Sequence, residues 1–144
     1  MRRVTVVGLV MAALVVASPV LAGGRPLSAD LAAANEVGGG DGTATGSASF
    51  WLNQGQGEIC FTIETDGLTA APFAAHIHTG PAGVNGGVVV DLDWSTNGDA
   101  DSADGCVWAD ADVIKDIRQH PDQYYVNVHN ATVPSGAVRG QLSK

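Results

Sequence analysis

Ala74 to Leu92 reads AAHIHTGPAGVNGGVVVDL, and its two halves say how the whole chain folds. In an extended strand alternate side chains share a face, so His76 and His78 point one way and Ile77 the other. The run TGPAGVNGG, Thr79 to Gly87, is dense in residues that supply fixed turns and positive φ, and reads as an ordered loop. VVVDL then returns as a second strand. Tyr124 to Asn130, YYVNVHN, repeats the pattern, with Val126 and Val128 on one face and Asn127 and His129 on the other. If these strands are neighbours, His76, His78 and His129 converge on the outside of a sheet.

The same alternation recurs upstream. Glu58 to Glu64, EICFTIE, places Ile59, Phe61 and Ile63 on one face and Glu58, Cys60, Thr62 and Glu64 on the other. Thr43 to Leu52 precedes it across the turn cluster Asn53 to Gly57, and the two segments form a hairpin. Leu27 to Val37 has a helix-like start at Ser28 but reads as a weak first strand. One helix is expected, Asp110 to Gln119, with Val113, Ile114 and Ile117 at helical spacing, acids in its first turn, Arg118 in its last and Pro121 as its stop. His120 reads as a surface residue at the end of that helix. A last strand, AVRGQL, turns Arg139 and Gln141 away from Val138 and Leu142. Seven or eight short strands with frequent turns and one helix describe an all-β, antiparallel β-sandwich.

The first 22 residues place Arg2 and Arg3 before an uncharged run of 19 residues that ends in small side chains, the layout of a secretory signal peptide. The competing reading is a retained anchor, for which the run is just long enough. Cleavage leaves residues 23 to 144 as a single domain, with five basic and fifteen acidic residues and no basic run, so a nucleic acid partner is disfavoured. Export also sets the redox context for the two cysteines. Cys60 lies on the polar strand face, so its partner is expected on an adjacent strand of the same sheet, with Cys106 the candidate and two free thiols the alternative. In the acidic stretch Asp91 to Gly105, Asn97, Asp99 and Asp101 have the spacing of calcium ligands, but Ser102 and Trp108 stand where an EF-hand needs Gly and Glu. A looser calcium site and a solvated loop are both open there. The glycine-rich loop fits neither nucleotide-phosphate pattern. Asn130, Ala131 and Thr132 form a glycosylation sequon.

Asn35 and Glu36, the AHIHTGPAGVNGGVVVDL stretch and the ending YYVNVHNATVPSGAVRGQL together resemble the CHRD domain, a repeat of chordin that also occurs singly in exported bacterial proteins. The resemblance spans about Leu27 to Leu142, and Asn130 stands where the family often has Thr. It implies a Greek-key sandwich of immunoglobulin-like kind, related in architecture to Cu/Zn superoxide dismutase. On that resemblance His76 and His78 are similar to the pair of copper ligands on a dismutase strand, His129 to the late copper ligand, and Arg139 to the arginine that guides the anion. The bridging histidine and the zinc-loop ligands have no counterpart, since only His120 is left.

Two functions are therefore expected to compete. One is a non-catalytic exported module that binds an extracellular protein or cell-envelope ligand, with no membrane contact after cleavage. The other is a copper- or zinc-binding protein using His76, His78 and His129, with possible redox activity. Three imidazoles suit either metal. The opposing reading of the histidines is a structural cluster, hydrogen-bonded to the TGPAGVNGG backbone, stacked on Tyr125 and networked with Asn127. Hydrolysis lacks support, because no nucleophile elbow or recognisable triad order is present; dismutation lacks the bridging ligand.

Overall fold

The computed structural model describes residues 24 to 94 and 100 to 144. The expected signal segment, and Asn97 and Asp99 of the acidic stretch, lie outside the described residues. Eight strands form one antiparallel sheet: β1 (Arg25–Ala32), β2 (Thr45–Asn53), β3 (Glu58–Asp66), β4 (Pro72–Thr79), β5 (Val88–Leu92), β6 (Ser102–Trp108), β7 (Tyr124–Asn130) and β8 (Val138–Gln141). Their order is β5-β4-β7-β8-β1-β2-β3-β6. Among the described residues the fold is all-β with one α-helix, α1 (Ala111–Gln119), as expected. Its two four-stranded halves are continuous through β8 and β1, so the sheet curls into a nearly closed barrel. That joint is thin. β1 and β8 share a single register pair, Ala32 with Arg139, supplemented by an isolated bridge between Ser28 and Ser143.

Alternation decides what is inside. Leu27, Ala29 and Leu31 of β1, Phe50 and Leu52 of β2, Ile59, Phe61 and Ile63 of β3, Ile77 of β4 and Val126 and Val128 of β7 fill one apolar core. The first strand ends at Ala32, earlier than the sequence reading, because Ala33–Asn35 tightens into a 3-10 turn. Ile114 and Ile117 of α1 close one end of the core, and the Asp110 side chain caps the helix by accepting from Asp112 N at 2.8 Å. His120 is exposed at the helix end, with Nδ1 3.0 Å from Asp116 Oδ1. No helix among the described residues is long and apolar enough to cross a membrane.

Cys60 and Cys106 face each other in the β3–β6 register and form a disulfide. The polar-face reading of Cys60 anticipated this. A residue that points away from the core can reach a partner on the next strand but not one across the barrel.

Candidate metal centre

The β4–β7 register sets His76 opposite Asn127 and His129 opposite Ala74, which brings the three predicted histidines onto one face. Each of His76, His78 and His129 offers a ring nitrogen within 4.8 Å of the others. The face is largely closed to solvent, with His76 half-buried. His78 and His129 are buried, and all seven residues of β7 are buried. The cover is polar backbone from loops, so none of the three sits among the aliphatics of the core.

Two carbonyls orient two of the rings. His78 Nδ1 lies 3.0 Å from Gly86 O and His129 Nδ1 lies 3.0 Å from Pro134 O. A carbonyl only accepts, so each Nδ1 carries its proton and each Nε2 presents a lone pair. His129 Nε2 is 3.0 Å from His76 Nδ1, which therefore donates to it in the metal-free protein. His78 Nε2 is buried and has no hydrogen-bond partner. Asn127 lies close enough to favour the His78 cation slightly, yet its Oδ1 also completes no hydrogen bond. On the far side of His76, Nε2 stands 3.8 Å from Asp91 Oδ1. Burial is the main reason that the pKa of His78 and that of His129 lie below the usual histidine value, opposed by the Gly86 and Pro134 carbonyls. The shift favours the neutral form of both rings, the form in which imidazole binds a metal.

The loop that supplies Gly86 is itself tied down. Arg139, almost fully buried, donates to Pro81 O at 3.0 Å, Val84 O at 2.8 Å and Asn85 Oδ1 at 3.1 Å. Its guanidinium carbon sits 3.3 Å from the centroid of Tyr125, and the other face of this tyrosine is available to His78, stacked at 4.8 Å and 8°. Gly86 must be glycine, since a Cβ there would come within 1.8 Å of Thr79 O. Arg139 is thus a clamp on the loop, and the expected parallel with an anion-guiding arginine does not describe its contacts. Glu36, brought in after the 3-10 turn, has its pKa raised by burial, offset by Arg139 and by a hydrogen bond from Asn127.

The expected contacts of the structural reading hold for His78, with its loop carbonyl and Tyr125, and not for His129, which meets Pro134 and His76 in place of Asn127. Sequence reasoning missed Asp91. Its signal is the β4–β5 register, which pairs it with His76. It also missed Pro134 as the carbonyl that orients His129, because backbone groups leave no side-chain pattern; a loop carbonyl on the HIH pair was expected, and Gly86 supplies it to His78. A cavity of about 450 Å³ opens beside His76, Phe73, Asp91 and Trp94. Among the described residues, the other group with metal-ligating atoms in reach is Glu58 with Cys60 and Cys106, whose sulfurs are joined to each other.

A single-helix β-barrel stapled across two strands, with three convergent imidazoles under its loops, defines the class. The chain belongs to the CHRD domain family, whose model matches residues 27–142, nearly all of the described chain. No curated protein and no solved structure matches it.

Proposed function

We propose that this CHRD domain acts outside the cytoplasm as a binding module, and that the species it binds at His76, His78 and His129 is one copper or zinc ion. The carrying observation is the buried, unpartnered Nε2 of His78, in a ring that offers a nitrogen within 4.8 Å of one on His76 and one on His129, whose Nδ1 and Nε2 lie 3.0 Å apart. Leaving a buried nitrogen unsatisfied costs about 1 to 3 kcal/mol, a cost that coordination removes. The donor set fits the ion, since imidazole suits copper and zinc, and each ring has an outer partner of the kind that orients metal-bound histidine. When bound, such an ion supplies a Lewis-acidic centre and, if copper, a one-electron couple.

The chain's own residues do the rest. Gly86 and Pro134 hold protons on the Nδ1 atoms of His78 and His129. His76 would hold the ion through Nδ1 as the other tautomer, with its single ring proton on Nε2, facing Asp91. The disulfide, and the sequence layout of residues 1 to 22, support export with cleavage after Ala22. N-terminal sequencing of the protein recovered from the secreting host tests this, and a retained residue 1 to 22 segment would overturn it.

Calorimetric titration of the purified protein with Cu(II) and Zn(II) tests the metal reading. One equivalent is expected to bind, with loss of uptake in H78A and in the triple variant H76A/H78A/H129A. Equal weak uptake by all three would eliminate the site. A second reading, a purely structural cluster, is favoured by the His76–His129 hydrogen bond; it predicts that H76A lowers stability while native protein takes up no metal.

A further inference from the structure

The residues numbered 23 to 144 contain five lysines and arginines against fifteen acids. Arg139 is buried at the histidine face, and the remaining four, Arg25, Lys115, Arg118 and Lys144, all line one cavity of about 440 Å³ with Gln54 and Gln119. No acidic side chain lines it. Topology makes the gathering. The β1–β2 register sets Arg25 opposite Leu52, beside the turn that carries Gln54, and the Ser28–Ser143 bridge returns Lys144 to the same end. Lys115 and Arg118, three residues apart, share a face of α1.

Four like charges in one cavity repel, and in so acidic a chain each would ordinarily find a carboxylate. None does: among the described residues, no lysine or arginine has a carboxylate within 4.0 Å, and the two ion pairs are histidine–aspartate contacts. Arg118 is fixed by donation from Nη1 to Gln54 Oε1 at 3.1 Å, while its Nε is buried without a partner. The arginine is held in place with donor capacity left over.

From this we infer that the cavity is an anion-binding site, independent of the histidines, for a compact oxyanion that carries at least two negative charges on tetrahedral groups, of the pyrophosphate class. Guanidinium forks and glutamine amides donate to several oxygens at once, which tetrahedral groups supply. Compactness follows from size and charge, since the cavity is about 440 Å³ and a chain with so large an excess of acidic residues repels a long polyanion that runs beyond it.

Calorimetry with inorganic pyrophosphate at low ionic strength, on metal-free full chain, tests the inference. Binding is expected with Kd below about 1 mM, weakening by about tenfold or more in K115Q/R118Q and also in R25Q. Circular dichroism and copper uptake of these variants should match those of the native protein, so that failure here and failure of the histidine site are told apart. No heat with pyrophosphate, or undiminished binding by both variants, would overturn the site. Tighter binding of citrate would overturn the tetrahedral assignment. Binding only to heparin, or only to phosphatidylglycerol vesicles, would overturn the compact one.

Discussion

Asn130 sits in a glycosylation sequon and yet has no exposed surface. Its Nδ2 donates to Asp41 Oδ2 at 2.7 Å and to Ala70 O at 3.1 Å, and its Oδ1 accepts from Val133 N at 2.8 Å. A glycan on that nitrogen is incompatible with the fold. N130A removes all three bonds and leaves buried groups unsatisfied, so it should cost about 2 to 4 kcal/mol in urea denaturation; a loss within the scatter of a surface substitution would contradict this account. Asp41 itself has its pKa lowered, first by the Thr69 backbone N–H and then by the Thr69 and Asn130 side chains. A depressed carboxylate contributes stability above its unfolded value, near pH 4, and loses that contribution as pH falls through the lower folded value. Melting temperatures between pH 5 and pH 2 should therefore fall, and D41N should flatten the slope. Asp116 acts in the same direction through Tyr124 and His120, while half-buried Glu36 acts in the opposite one.

The strands and the helix were largely legible because burial writes a period into the residues. EICFTIE gives β3, and Asp110, the paired isoleucines and Pro121 give α1 with its cap and its stop. The face of each histidine, and the mate of Cys60, followed from the same period-two logic. The cover over that face did not: strand alternation says that Asn127 and His129 point away from the core, but whether water or loops meet them is decided by chain segments far off in sequence. The cation cavity was likewise invisible, since its residues come from β1, α1 and the last position. Two predictions belong at this scale. Reducing Cys60–Cys106, which closes a loop of 46 residues, should lower stability by about 4 kcal/mol on the chain-entropy argument, read as a shift of the urea midpoint with reductant. D110A should cost about 1 kcal/mol through loss of the helix cap, with a midpoint equal to native counting against it.

For the molecule as a whole, copper or zinc at the three histidines should raise the melting temperature. At a free concentration one hundred times Kd, the gain is about 2.7 kcal/mol, and H78A should show none of it. Pyrophosphate should stabilise the metal-free protein independently, and H78A should keep that gain in full. Gly140 packs where β8 meets β1, and a Cβ there would fall 2.4 Å from Asp30 O. G140A should therefore force the two halves apart locally and destabilise by about 1 to 3 kcal/mol.

The seam of one register pair, Ala32 with Arg139, and the Ser28–Ser143 bridge is thin enough that the histidine-bearing half and the disulfide-bearing half are expected to open as two blocks, although one apolar core spans both. In native-state deuterium labelling, amides along β8 and the facing end of β1 should open first and together. Metal, held wholly within one block, should slow exchange there and leave the stapled block nearly as it was.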